Sequence, residues 1–242
     1  MKQDRGNTIM KRGVSLSGIR KDAEKKARTL DWPGPSNEYW RRTDVSTIDF
    51  EAFPAASGEL VVDSSELGSA ELRLFTSGGE DALSGRSAEL LAQRAEASRD
   101  RVEAFHFSRL ATGFSLRIPA GTEVPEPIIL RFRGAPDGSH EACFAHIHAE
   151  EGSAARVFIL LEDLPEAATL RTAGFHFELD EGSTLQASVL QDLSHSSRYF
   201  AFHSADVAAG AGLSFSEIDL GAALSVTAPL FNTRGKGATI DI

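Results

Sequence analysis

The sequence predicts a mainly β protein: a right-handed parallel β-helix (a solenoid) preceded by a small helical N-terminal region. Three observations predict this fold class. Strand-like segments recur about every 30 residues, each repeat carries a glycine at the same place, and no helical periodicity follows Phe105. A repeat of this length built from strands is typical of a solenoid, in which each coil packs on its neighbours.

The glycines mark the corners of the predicted coils. They are Gly121, Gly152, Gly182, Gly210 and Gly237, separated by 31, 30, 28 and 27 residues. Each follows one strand-like segment and precedes another, where a tight corner favours a residue that tolerates positive φ. The competing fold is an antiparallel sandwich, which predicts turn signals about every 8–12 residues and fits this spacing less well.

The chain divides into three predicted parts. Residues 1–14 show no periodicity and are expected to form a disordered basic tail, residues 15–58 a helical N-terminal region, and residues 59–242 the β-helix core domain. Within the core domain, one helical segment is expected near residues 84–104, where apolar residues recur among many charges.

The helical region has recognisable start and stop signals. Apolar residues recur at three- and four-residue spacing from Ile19 to Leu30, and Ser15 or Ser17 is expected to cap the helix at its start. Pro33-Gly34-Pro35 ends it, because proline cannot continue a helix.

A second, short helix is predicted to follow that stop. Ser36 is its expected N-cap, and the helix runs through Tyr39 and Trp40. We expect these two aromatic residues to form an apolar cluster with Trp32 that anchors the N-terminal region on the body.

Charge is distributed unevenly along the chain. Residues 1–42 carry eleven Lys or Arg and five Asp or Glu, whereas residues 43–242 carry fourteen and thirty. The acidic body argues against a nucleic-acid partner. The basic arm suits an acidic partner or is a solvated tail.

The composition also predicts the compartment. A single cysteine, Cys143, allows no internal disulfide and fits a reducing compartment. No apolar run approaches the roughly 18 residues of a membrane span. The segment from Met1 to Arg12 is charged without an apolar stretch behind it, unlike a signal peptide. We therefore expect a cytoplasmic protein without a membrane span.

Candidate metal ligands lie in one strand-like segment, His140–His148. Residues two apart on a strand face the same side, so His146 and His148 are expected to present two imidazoles together. Imidazole and thiolate suit iron or zinc, but Cys143 has odd spacing and faces the other side unless a bulge intervenes. The alternative is that Cys143 fills the core and the histidines are ordinary polar residues.

Signs of catalysis are weak. Paired carboxylates at Glu150-Glu151, Glu162-Asp163 and Asp180-Glu181 are compatible with a β-helix carbohydrate-active enzyme, but their place at the corners favours solvated turns. The sequence contains neither a Gly-x-Ser-x-Gly elbow nor a Walker A loop. We therefore predict that the protein is not an enzyme.

Three segments resemble the SufB/SufD family. Asn37–Asp44 is similar to its E-x-W-R/K-Y-T-D/N-L helix, with Arg42 in place of the usual aromatic residue. Residues 111–130 look like its D/N-G-x-F-h-x-h-P-x-G-V-x-V-x-x-P-I-x-L entry into the β-helix, and Phe215–Gly221 resembles its L-D-L-G-G corner. The likeness runs from about Pro33 to Ile242.

This resemblance implies a function. SufB and SufD are scaffold components of the SUF system of iron–sulfur cluster assembly and form a complex with SufC, an ABC-type ATPase. It therefore implies a SufC-like ATPase and a SufB/SufD-like subunit as partners, and a transiently held iron–sulfur cluster as cofactor. Two alternatives stay open: an interaction module that kept the β-helix but lost the cluster role, and the carbohydrate-active enzyme.

The resemblance also implies missing parts. Family members continue through further coils, which hold their cluster-linked Cys, Glu and His positions and their pairing surface, and end in helices that dock SufC. This sequence stops at Ile242, so no cluster ligand is carried over. An exposed last coil has unpaired backbone groups, and we expect it to pair with a second copy or a partner.

Overall fold

The computed structural model describes residues 15–62, 67–76 and 85–242. Its core is a mainly β solenoid of about five coils, which confirms the predicted fold class. The strands, in chain order, are β1 (Glu59–Val62), β2 (Glu71–Thr76), β3 (Leu110–Ile118), β4 (Ile128–Arg133), β5 (His140–Ala149), β6 (Ala154–Glu162), β7 (Leu170–Leu179), β8 (Thr184–Asp192), β9 (Arg198–Ala201), β10 (Ser204–Ala208), β11 (Gly212–Asp219), β12 (Leu224–Thr227), β13 (Leu230–Arg234) and β14 (Thr239–Asp241).

Three helices and three short 3-10 turns accompany the strands. The helices are α1 (Leu16–Thr29), α2 (Gly85–Glu96) and α3 (Arg101–Ser108), and the turns are Glu38–Trp40, Val45–Thr47 and Phe50–Ala52. No helix among the described residues is long and apolar enough to cross a membrane.

The strands form two sheets, and each coil contributes to both. Sheet A has the order β12-β9-β7-β5-β3-β2, with β10 and β13 as the later parts of its last two coils, and sheet B has the order β1-β4-β6-β8-β11-β14. Strands of successive coils pair in parallel. By contrast, β1 and β2 pair antiparallel with β4 and β3, so that an antiparallel strand covers each sheet edge of the first coil.

The corner glycines adopt the backbone conformation that the repeat predicts. All five have positive φ, between 65° and 76°. A side chain in this region is strained, because its Cβ approaches the following carbonyl oxygen. The corners also hydrogen-bond to one another, as when the amide of Gly152 donates to the carbonyl of Glu181 (3.0 Å). These contacts keep successive coils in register, which stacks equivalent side chains above one another.

Inward side chains of the two sheets form one apolar core. Phe132 of sheet B stacks between Phe114 and Phe175 of sheet A, with both pairs of ring centroids 6.0 Å apart. Phe132 and Phe175 are fully buried. The solenoid is therefore filled along its length by side chains and is held mainly by the burial of apolar surface.

Helices α1, α2 and α3 cover part of the outer face of sheet A. Ile19 of α1 and Leu91 of α2 belong to a buried cluster with Leu110 and Phe144, which point outward from sheet A. The first halves of β5 and β7 are therefore buried on both sides. This accounts for their nearly continuous apolar sequence, since alternation disappears when both faces are covered.

The segment predicted as one helix near residues 84–104 is instead two helices. The break lies at residues 97–100, where the carboxylate of Asp100 accepts a hydrogen bond from the amide of Glu103 (2.9 Å) and caps α3. The indole of Trp40 donates to the other carboxylate oxygen (2.8 Å), so a long-range contact also holds the break. Helix α3 extends to Ser108, beyond the predicted end of the helical segment near residue 104.

The N-terminal predictions are partly correct. Ser15 caps α1, because its side chain accepts from the amide of Gly18 (3.1 Å). Asn37, not Ser36, caps the following short turn. Trp40 is buried, but Tyr39 is 56% exposed and lies outside the expected aromatic cluster. The predicted tail at residues 1–14 lies outside the described residues.

Candidate functional site

The structure separates the three predicted metal ligands. His146 and His148 lie on the outer face of sheet A, with nearly parallel rings whose centroids are 5.9 Å apart. Cys143 points into the core and is 1% exposed. Burial, with the nearby charge of Glu141, raises the pKa of the Cys143 thiol, so this side chain stays protonated at neutral pH. The expected division between the two faces is confirmed.

The parallel register aligns further polar side chains with the two histidines. His146 lies beside His176, and His148 beside Glu178, across the β5–β7 pair. Asp206 continues the second row on β10. We call this part of the outer surface of sheet A, formed by the second halves of its strands, the polar face. Its residues are Ser115, Arg117, His146, His148, His176, Glu178, Ser204 and Asp206.

A chain of hydrogen bonds links α2 to the polar face. The hydroxyl of Ser87 lies 2.9 Å from Nδ1 of His146, and Nε2 of His146 lies 3.0 Å from Oε2 of Glu178. Arg86 donates to both oxygens of Glu178, with the shortest distance 2.5 Å. Since Glu178 as a carboxylate only accepts, Nε2 of His146 carries the proton, and Nδ1 is left to accept from Ser87.

Further ion pairs of the polar face join neighbouring strands of sheet A and the corners beside them. Nε2 of His148 lies 2.9 Å from Asp180, and Arg117 binds both Glu150 and Glu71 at 2.7 Å. These pairs surround a cleft of about 250 Å³ between β2, β3, β5 and the start of α2. Residues lining this cleft include Arg73, Arg86, Ser87, Arg117, His146 and His148.

Burial sets the protonation of the polar face. It lowers the pKa of His146, while the hydrogen bond to Glu178 opposes this shift. Burial also lowers the pKa of His176 to about 3. For Glu178, burial acts to raise the pKa, but the bonds from His146 and Arg86 outweigh it and lower the pKa. At neutral pH the imidazoles of His146 and His176 are therefore neutral, next to the ionised carboxylate of Glu178.

A second polar cluster lies inside the solenoid, near the corner between β6 and β7. Arg171 is 1% exposed and contacts Glu141 at 2.5 Å and Asp163 at 3.5 Å. Asp163 also accepts from the hydroxyls of Thr169 and Ser197. The expectation that the Glu162-Asp163 pair is a solvated turn is therefore wrong for Asp163, because an arginine eight residues further along the sequence turns inward to meet it.

A third polar group lies inside the last coils. Glu217 accepts from the hydroxyl of Tyr199 (3.1 Å) and lies 3.3 Å from Nε2 of His203. The amide of Phe175 donates to Nδ1 of His203 (3.3 Å), which orients the ring. Each of these buried groups has a partner, as the cost of burying an unpaired polar group requires.

The described residues contain no group of three or more His, Cys, Asp or Glu side chains arranged to hold a metal ion. On the polar face the arginines pair with the carboxylates, and each of His146 and His148 already contacts one carboxylate. The pairing of His146 with His148 is as predicted, but metal binding by them stays a prediction.

Sequence reasoning missed Ser87 and Glu178, for different reasons. Glu178 stands four residues before Gly182, as His148 does before Gly152, so aligning the repeats could have stacked these two side chains. Ser87 reaches His146 only because α2 packs on sheet A, and no local pattern signals that contact.

The fold places this protein in the class of parallel β-solenoids. Proteins of this architecture have extended, regular faces, which they use to bind partners. Residues 133–242 match the family model described as SUF system FeS cluster assembly, SufBD core domain. This match confirms the resemblance to the SufB/SufD family over these residues and connects the chain to iron–sulfur cluster assembly. A comparison with curated proteins gave no match.

Proposed function

We propose that this chain acts in the cytoplasm as a scaffold of iron–sulfur cluster assembly and works with a SufC-like ABC-type ATPase. The observation that carries the proposal is the SufBD core domain, which covers the solenoid from the end of β4 to β14. In this role the chain positions partners through its faces and does not itself turn over a small molecule.

The cluster is the cargo of this system, and the chemistry of the chain limits how it is held. Thiolates are the usual protein ligands of iron–sulfur clusters. The only cysteine of the sequence, Cys143, is buried among core residues, so the described residues supply no accessible thiolate. We propose that the cluster is held together with a SufB/SufD-like partner subunit, and that this chain contributes surface to the complex.

The last coil is the surface that we propose for this subunit contact. Strands β12, β13 and β14 each pair with one neighbour within the described part of the chain. Their other edges present backbone groups that a strand of a second subunit can bind. A second copy of this chain is the alternative occupant, and light scattering at micromolar concentration separates the two: a strictly monomeric species contradicts self-pairing.

The proposal is tested with the ATPase of the same SUF system. We expect the purified chain, mixed with that ATPase and a SufB/SufD-like subunit, to elute as a complex in size-exclusion chromatography. Anaerobic reconstitution with iron and sulfide is expected to load the complex but not the chain alone. A chain that binds neither partner contradicts the proposal.

One observation favours a second candidate, an interaction module that has lost the cluster role. It is again the burial of Cys143, which leaves this chain without a thiolate of its own. The module predicts binding to the ATPase or subunit with no iron retained by any complex. Iron retained by the complex, and lost when His146 and His148 are both replaced by Ala, instead supports the predicted imidazole ligands.

A further inference from the structure

Ser87, His146 and Glu178 form a hydrogen-bond chain that scaffolding does not require. The hydroxyl of Ser87 lies 2.9 Å from Nδ1 of His146, whose Nε2 lies 3.0 Å from Glu178. Nucleophile, base and orienting carboxylate in this order are the elements that activate serine in acyl transfer. In the usual serine triad, Nε2 of the histidine faces the serine and Nδ1 faces the carboxylate. Here the two ring nitrogens have the opposite roles, because Nδ1 of His146 faces Ser87 and Nε2 faces Glu178.

The surroundings hold this arrangement firmly. His146 is 2% exposed, and the centroid of its ring lies 5.9 Å from that of His148 and 5.8 Å from that of His176. Arg86 fixes Glu178 through both carboxylate oxygens. The carboxylate therefore keeps Nε2 protonated, and Nδ1 has a free electron pair directed at Ser87.

The serine is accessible even though its base is not. Ser87 is half-buried and lines the cleft of about 250 Å³ together with Ser115, His146 and His148. It stands in the first turn of α2, a helix of 12 residues, where backbone amides have no acceptor in their own helix. Such amides stabilise the negative oxygen that forms when a serine attacks a carbonyl group.

We propose that Ser87 is an acylation site that takes an acyl group from a small activated carboxylic ester bound in this cleft. The Ser87 oxygen bonds to the carbonyl carbon while its proton passes to Nδ1 of His146. The bond between that carbon and the ester oxygen then breaks, and the proton moves to the departing alcohol. His146 is the base, and Glu178 is a positioning residue that acts through His146.

Acylation is measured with p-nitrophenyl acetate on the full chain. We expect release of roughly one nitrophenolate per chain and an added acetyl group on the peptide that contains Ser87, located by mass spectrometry. Ser87→Ala should abolish this reaction, and His146→Gln should slow it by about 100-fold or more. Glu178→Gln should lower the maximal rate while leaving the half-saturating ester concentration unchanged.

Ser216→Ala is the matched control, because Ser216 lies on the exposed outer face of sheet B, outside both this cleft and the hydrogen-bond chain. It should acylate at the rate of the unaltered protein. Acetyl groups found only on other residues, or an unchanged rate in Ser87→Ala, overturn the proposal. If His146→Gln fails to fold, the difference in acylation between Ser87→Ala and Ser216→Ala still decides whether Ser87 is the acylated residue.

Discussion

The outer faces of the two sheets differ although the same coils build both. On sheet A, helices cover the first halves of the strands, and paired polar side chains occupy the second halves. On sheet B, the outward side chains alternate with buried ones, and Phe158 and Ile218 are 37% and 51% exposed. The repeat therefore determines the interior, whereas the helices decide which outer face becomes a structured site.

This difference has an energetic consequence. A side chain on the outer face of sheet A lies between two layers, so its removal leaves a cavity or an unpaired polar group. A side chain on the outer face of sheet B mostly contacts water, and its removal costs little. Three pairs of measurements, from the largest expected effect to the smallest, test this contrast.

The largest effect is expected for phenylalanine. Phe144 points outward from sheet A beneath the helices and is 1% exposed, whereas Phe158 points outward from sheet B. Phe144→Ala should lower the free energy of unfolding by about 3–5 kcal/mol, because it leaves a cavity between sheet and helices. Phe158→Ala is the control and should cost less than about 1 kcal/mol. If urea unfolding shows that both variants lose the same free energy of unfolding, then the outer face of sheet B is also covered.

The second effect is a pH dependence of stability that comes from two buried histidines, one on sheet A and one on the helix α3 that covers it. Burial, with a smaller contribution from neighbouring histidine, lowers the pKa of both His106 and His176 to about 3. Both are therefore neutral in the folded protein, whereas the unfolded chain takes up protons near pH 6.5. The stability that they contribute is complete above that pH and is lost as the pH falls from about 6.5 towards 3.

Between pH 7 and pH 5 this loss should reach about 2 kcal/mol for each of the two histidines. Urea unfolding at the two pH values measures it. His176→Asn removes one of the titrating groups and should show a correspondingly smaller fall over the same interval. A fall of undiminished size in this variant would mean that His176 is accessible to protons in the folded protein.

The smallest effect concerns two serine hydroxyls. Ser204 is 3% exposed and lies 2.8 Å from Nδ1 of the buried His176, whereas Ser216 donates to Ser188 (2.9 Å) on the exposed face of sheet B. Ser204→Ala should cost about 1–2 kcal/mol, because it leaves a buried ring nitrogen unpaired. Ser216→Ala should change stability by no more than about 0.5 kcal/mol, as water replaces the lost partner. Thermal unfolding of both variants is the check.

Much of the solenoid could be predicted because the repeat is visible in the amino-acid sequence. The spacing of glycines such as Gly152 and Gly182 predicts the corners, and odd against even positions predict that Cys143 faces away from His146. The capping role of Asp100 and the inward turn of Arg171 could not be predicted in this way. Both depend on partners distant in sequence, and a local pattern carries no information about such contacts.

The candidate site also has one part that the repeat predicts and one part that it does not. The stacking of His148 with Glu178 follows from the repeat, because each residue stands the same number of positions before its corner glycine. The contact of Ser87 with His146 depends on how α2 lies on sheet A. The antiparallel pairing of β1 and β2 on the first coil was also missed, since strand direction is set by connections and not by residue pattern.

The central claim is that this chain takes part in iron–sulfur cluster assembly. The most direct measurement is the activity of an iron–sulfur enzyme in cells from which the gene for this chain has been deleted, with the amount of that enzyme's polypeptide measured in parallel. The account predicts that activity falls at constant polypeptide and returns when the chain is supplied again. Full activity in the deleted cells, under conditions in which the SUF system is required, would contradict it.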